Sequence, residues 1–140
     1  MANQDNTQLV QEGYATFGRG DIPALLDMMT EDIVWVSPGP RDVLPTAGER
    51  RGHDQVAQFF STLNDTEEIQ RFEPHEFIAQ DDKVVALVKY GARIRSTGRT
   101  VDTELVHIFT LRDGKIAQFR EYFDTAAAVA AFQAPAMAAR

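Results

Sequence analysis

Two residues of the kind that moves protons lie near the end of this sequence, His107 and Glu121. They fall in the stretch TVDTELVHIFTLRDGKIAQFREYFDT, Thr100 to Thr125, which reads as two strands joined by a tight turn. Strand alternation puts Thr103, Leu105, His107, Phe109 and Leu111 on one face of the first strand, and Ala117, Phe119, Glu121 and Phe123 on one face of the second. Each face is mostly apolar and carries a single ionisable group. A carboxylate and an imidazole among Phe and Leu are costly to bury unless they are partners. As partners they make a general acid/base pair: burial raises the carboxyl pKa, a neighbouring imidazolium lowers it again, and either group can move a proton near neutral pH. The same two residues read equally well as a buried couple that only satisfies itself.

The turn decides which faces meet. A two-residue loop at Asp113-Gly114 sets His107 opposite Arg120 and turns Glu121 away. A three-residue loop, Arg112-Asp113-Gly114, with Gly114 left-handed in a bulge, sets Leu111 opposite Lys115, His107 opposite Phe119 and Leu105 opposite Glu121. The two ionisable groups are then diagonal neighbours. The matching of apolar faces favours the longer loop.

These strands need a scaffold, and the rest of the chain supplies one. Leu9, Val10, Gly13, Tyr14 and Phe17 form an apolar stripe on a helix from about Asp5 to Phe17. Asp21 caps a second helix with Pro23 in its first turn and Leu25, Leu26, Met28 and Met29 buried. Asp32 to Ser37 reads as a short strand stopped by Pro38-Gly39-Pro40, and the chain to Gly52 reads as a long loop of the kind that forms lids. Asp54 caps a third helix with Val56, Phe59, Phe60 and Leu63 at helical spacing. Glu68 to Ala79 and Val84 to Arg95 are strands, with Pro74 marking an edge or a bulge. Asp124 caps a short tail helix, Thr125 to Phe132, and the chain frays beyond Gln133. The expectation is one α+β domain, with residues 5–132 as its ordered core. A curved antiparallel sheet of about four long strands carries three N-terminal helices on its concave face and encloses a pocket. Its other face carries Val106, Ile108, Ile116 and Tyr122 beside Arg120, which points to a homodimer through the outer sheet face.

Composition removes several classes of function. The 140 residues include no cysteine, so there is no disulfide framework, thiolate nucleophile or cysteine-ligated zinc. The net charge of −7 argues against nucleic acid as a partner. No apolar run approaches a membrane span, and the polar start MANQDNTQLV is unlike a signal peptide, so no membrane partner is expected and the cytoplasm is the default. The three histidines, His53, His75 and His107, sit on separate elements without ligand spacing, so neither a metal site nor a cofactor is expected. Asp81-Asp82 and Thr66-Glu67-Glu68 read as turn or surface charge.

Three segments together, GRGDIPALLDMMTEDIVWVSPGP, RGHDQVAQFF and LRDGKIAQFREYFDT, resemble the nuclear transport factor 2-like superfamily (cystatin-like α+β cone) in its SnoaL-like branch. The resemblance covers nearly all the chain and implies a cone with an internal pocket. It leaves the chemistry open, because this fold hosts isomerases, dehydratases, epoxide hydrolases, polyketide cyclases and proteins that only bind. By resemblance to ketosteroid isomerases, their helix-one tyrosine falls at Gly13, beside Tyr14. Their base falls at Ser37, and their protonated acid at His107 or Val106. By resemblance to limonene-epoxide hydrolases, the last-strand acid falls on Glu121 in Arg120-Glu121-Tyr122-Phe123-Asp124, and the tyrosine and asparagine that hold water fall on Trp35 and Ser37. Their arginine and second acid fall within Val88 to Gly91, where this chain has no acid. SnoaL-like polyketide cyclases use one last-strand acid with a nearby histidine, which His107 and Glu121 resemble most closely.

The resemblance implies a small cofactor-independent enzyme acting on a cyclic or ring-containing apolar metabolite. Glu121 and His107 are its expected catalytic pair, with Tyr14, Phe17, Trp35, Ser37, Leu105, Phe119 and Phe123 around the ligand. The alternative is a small-molecule-binding or assembly module on the same fold without turnover.

Overall fold

The computed structural model describes residues 3–133. Along the chain come α1 (Asn3–Gly18), α2 (Ile22–Asp27), β1 (Met29–Ser37), β2 (Gly48–Arg51), α3 (Gly52–Thr66), β3 (Glu67–Gln80), β4 (Lys83–Ile94), β5 (Thr100–Arg112), β6 (Lys115–Tyr122) and α4 (Thr125–Phe132). The strands form one sheet in the order β2-β1-β6-β5-β4-β3. All neighbours run antiparallel except β1 and β6, which are parallel. The fold is α+β as expected, but the sheet is mixed and has six strands rather than four long ones. The extra strands are β1, which docks beside β6, and β2, which lies inside the stretch read as a loop. Gly-Glu-Arg-Arg carries no apolar alternation, so an edge strand there leaves no hydrophobic signal. The expected fraying beyond Gln133 lies outside the described residues.

Local chemistry sets the helix boundaries. The Asp21 carboxylate accepts from the Ala24 amide at 3.1 Å and starts α2. Met29, expected in that helix, belongs to β1 instead and is buried there. Asp54 does not cap α3; it lies in the first turn, where its charge still favours the helix dipole, and the cap position is Arg51. Asp124 caps α4 as expected, accepting from the Ala127 amide at 3.0 Å.

Curvature comes from β3, an edge strand whose register against β4 slips twice, between Ile69 and Arg71 and between Pro74 and Glu76. Pro74 sits at one of these bulges, as its missing N–H favours. Along β4, Val84, Ala86, Val88, Tyr90, Ala92 and Ile94 all face inward and are buried. Over this face lie α1, against β3 and β4, and α2 and α3, against β1.

The β5–β6 turn corrects the expected register. Asp113 (φ 54°) and Gly114 (φ 76°) form a two-residue loop between the paired Arg112 and Lys115. The extra residue lies one step later: Leu111 pairs with Ile116 but Thr110 pairs with Gln118, leaving Ala117 as a bulge. His107 is therefore directly opposite Glu121, and Phe109 opposite Phe119. Before the bulge the alternation is reversed, so Ile116, expected on the outer face, is buried inside. Val106, Ile108 and Tyr122 do face outward, with Tyr122 47 % exposed.

Candidate functional site

Glu121 stands at the junction of three strands. The β5–β6 register brings His107 across from it, and His107 Nε2 lies 2.9 Å from Glu121 Oε2. The parallel β1–β6 register sets Val36 beside Arg120, so Ser37 comes alongside Glu121 and its Oγ donates to Oε1 at 2.9 Å. From above, α1 lowers Tyr14 onto the imidazole with the two rings 18° from parallel, and the Tyr14 hydroxyl meets His107 Nδ1 at 2.7 Å. One assignment satisfies every atom. Tyr14 O–H donates to Nδ1, His107 Nε2–H donates to an ionised Glu121, and Ser37 O–H donates to the other carboxylate oxygen. Burial, and after it the negative charge of Glu121, hold the Tyr14 phenol well above the ordinary tyrosine range, so it remains a donor at neutral pH.

Tyr14, His107 and Glu121 of this chain form one wall of a cavity of about 110 Å³. The side chains of His107 and Glu121 are only 5 % and 13 % exposed. Tyr14, Phe17, Trp35, Leu105, Phe119 and Phe123, all expected around a ligand, line the cavity with His107 and Glu121. Trp35 stacks on Phe119 with ring centres 3.8 Å apart. Ser37 is brought to the site but does not line the cavity, because it sits behind Glu121 and is buried there. On another side, Leu44 and Thr46 from the 38–47 loop reach the cavity together with Ala128 and Phe132 of α4. Leu44, Ala47 and Ala128 form a small apolar cluster of their own, so the loop and α4 close that side as a unit. No three His, Asp or Glu side chains converge as metal ligands among the described residues.

A second carboxyl group faces the same cavity. Glu67, expected to be surface charge, lines the cavity at the start of β3, and the Tyr90 hydroxyl donates to its Oε1 at 2.5 Å. Burial raises the Glu67 pKa, the Tyr90 hydrogen bond lowers it, and the charge of Glu121 adds to the rise, leaving it above the usual glutamate value. Burial, followed by the charge and hydrogen bond of Glu67, drives the Tyr90 phenol well above the tyrosine range. The available signal was parity. With Tyr90 inward on β4 and antiparallel pairing of Glu67 to Ile94, Glu67 must also face inward. The neighbouring Glu68 masked it, because two consecutive glutamates look like solvated charge.

A helix-roofed curved sheet over an apolar cavity is the arrangement of the cone-shaped α+β domains. Residues 10–119 match the SnoaL-like domain, and the chain belongs to that family. It is similar to an NTF2-like protein of Burkholderia xenovorans LB400, 38 % identical, with a TM-score of 0.87 and coverage of 95 % of this chain and 99 % of that one. It is also similar to an NTF2-like protein of unknown function from Burkholderia pseudomallei K96243, 28 % identical, with a TM-score of 0.85 and coverage of 96 % and 100 %. TerC, co-crystallised with polyporic acid, is 30 % identical, with a TM-score of 0.81 and coverage of 91 % and 98 %. No curated protein matches the chain.

Proposed function

We propose that this protein is a cofactor-independent acid/base enzyme acting on a neutral, ring-containing apolar metabolite, of the SnoaL-like cyclase, isomerase, dehydratase or epoxide hydrolase type. The observation that carries the reading is the Tyr14–His107–Glu121–Ser37 chain of hydrogen bonds on the wall of an apolar cavity. Glu121 is the base. It takes a proton from a carbon next to a carbonyl of the bound ring, and the C–H electrons move into the carbonyl as an enolate. Ser37 and His107 aim the carboxylate, and Tyr14 fixes the imidazole so that Nε2 faces Glu121. Return of the proton at another carbon completes an isomerisation; in a dehydration the enolate electrons expel a β-hydroxyl group, which takes the proton from Glu121 and leaves as water. Neither needs a further reactant. The aromatic walls exclude water and fit a ring. The test is proton exchange in heavy water, followed by NMR on a panel of cyclic ketones. Exchange by the wild type and its loss in Glu121→Gln support the reading; exchange that is equal in both overturns it.

The second reading is a binding module without turnover. It is favoured by one observation: His107 and Glu121 are already satisfied by Tyr14 and Ser37 without a ligand. The proposed working form is a cytoplasmic homodimer through the outer sheet face, where Val106, Ile108 and the exposed Tyr122 lie together and Ile78 is 53 % exposed. A monomer by sedimentation at micromolar concentration overturns that assembly. No described helix is long and apolar enough to cross a membrane, and the charge of −7 disfavours nucleic acid as a partner.

A further inference from the structure

The cavity has a second polar end that the hydrogen-bond relay from Tyr14 through His107 and Glu121 to Ser37 does not use. Among the described residues lining it, the ionisable groups are Tyr14, His107 and Glu121 at one end and Glu67 and Tyr90 at the other; none is Lys or Arg. Tyr90 lies four residues along β4 from Ala86, the partner of His107. That is about 13 Å of strand, or roughly 7 Å once hydrogen-bonding reach at each end is removed. A six-membered ring with substituents at opposite positions matches that length, and it would pack against Phe72, whose ring centre lies 6.1 Å from that of Tyr90 and 6.5 Å from that of His107. Glu67 Oε1 is taken by Tyr90, whereas its Oε2 has no hydrogen-bond partner among the described residues and is not sealed off. Glu67, with Phe17, Phe60 and Leu63, also lines a groove on the outside that includes Ala57, Ser61, Ile69 and Arg95, so it stands between the cavity and that groove.

We propose that Glu67, held by Tyr90, is a specificity pole that accepts a hydrogen bond from a hydroxyl group of the ligand, so that the cavity selects neutral rings with a carbonyl at the Glu121 end and a hydroxyl at the other. The inference rests on the reading of the cavity as a ligand site. Its physical basis is one-sided charge. Two carboxyl groups with no cation in the lining repel an anion, and a carboxyl oxygen with no partner rewards a donor. A hydroxyl supplies the donor without charge, whereas a methyl of similar size supplies none. Tyr90 acts on the ligand through Glu67: its hydroxyl fixes which carboxyl oxygen faces the cavity.

The test uses three probes that differ at one position: 4-hydroxyacetophenone, 4-methylacetophenone and 4-acetylbenzoate. Each is titrated into the full chain at pH 7 and followed by amide NMR shifts. In the wild type, the hydroxyl probe binds about tenfold tighter than the methyl probe, as one hydrogen bond to a charged acceptor allows, and the benzoate binds weakest. In Glu67→Leu that preference falls to about one. In Glu67→Gln, which keeps an acceptor for Tyr90 and serves where the leucine variant does not fold, the benzoate gains at least about fivefold. If no probe binds, both this inference and the ligand-site reading fall. If the probes bind but hydroxyl and methyl are equal, or Glu67→Leu keeps the preference, this inference alone falls. Shifts confined to Ala57, Ser61 and Ile69 put the hydroxyl in the outer groove and overturn it as well.

Discussion

Replacing His107 by leucine should destabilise the protein more than replacing Glu121, and replacing both should cost no more than replacing His107 alone. The leucine matches the bulk of the imidazole but strands three partners: the Tyr14 hydroxyl, the Glu121 carboxylate and, through Glu121, the order of Ser37. A hydrogen bond to a charged group is worth about 1.5–3 kcal/mol, and a buried hydroxyl left without a partner adds about 1–3 kcal/mol. The Glu121 side chain is 13 % exposed, so water reaches it and a sum near the low end, about 3 kcal/mol, applies. At about 2.1 cal/mol/K per residue, 140 residues convert this to a fall in Tm of about 10 °C. Glu121→Leu leaves a neutral imidazole nitrogen and a serine hydroxyl unpaired, at about 1–3 kcal/mol. The double variant removes the stranded charge altogether, so its cost falls short of the sum by at least about 1 kcal/mol. Urea unfolding of the four proteins at pH 7 measures the cycle. Additive costs, or a double variant clearly less stable than His107→Leu, would show that the two side chains do not act as a buried pair, and the relay would lose its physical basis.

Glu67→Gln should gain stability over the wild type as pH rises. Burial raises the folded pKa of Glu67, so the stability contributed by its proton is complete below the unfolded glutamate value, about 4.3, and is lost as pH climbs through the folded value. Urea midpoints at pH 4, 5.5 and 7 should show the variant pulling ahead; a constant gap or the opposite slope refutes the burial. Gly39→Ala should cost about 1–3 kcal/mol, because Gly39 sits at φ 110° and a Cβ there would come within 2.4 Å of Leu44 Cδ1. Hydrogen exchange should quicken in residues 40–47, and unchanged protection contradicts the expectation. Asp124→Ala removes the acceptor for the Ala127 amide and should cost about 0.5–2 kcal/mol, read as a lower Tm; an unchanged Tm means the cap does not hold α4.

Helices and strands were legible where a period was strong. The Val10–Tyr14–Phe17 stripe and the alternation in β4 and β5 are signals that hydrophobic burial writes directly into sequence. β2 was illegible because an exposed edge strand is held by backbone bonds to β1, and those bonds do not depend on residue type. The parallel docking of β1 against β6 was illegible for a related reason: it is a long-range pairing with no local signature. Yet that pairing brings Ser37 to Glu121, so its position behind the carboxylate, off the cavity wall, could not be read from the sequence either.

The meeting of His107 with Glu121 shows how a parity argument reaches the right face through the wrong device. An odd number of extra residues between the two strands is required, because an even count turns one of the two groups outward. Arg112-Asp113-Gly114 offered that odd count in the turn, where glycine is the visible signal. The chain places it at Ala117 instead, inside β6. Asp113 adopts the left-handed conformation beside Gly114, which completes a two-residue loop, and an aspartate tolerates it because its short polar side chain does. A bulge at alanine carries no compositional mark, so only the demand of the faces reveals it. The displacement matters chemically. Diagonal neighbours would have met through a water or a stretched contact, whereas direct opposition gives the 2.9 Å bond on which the relay depends. It also turns Ile116 inward, beneath Gly13 of α1, so the same extra residue that pairs His107 with Glu121 fills the floor of the helix layer that carries Tyr14.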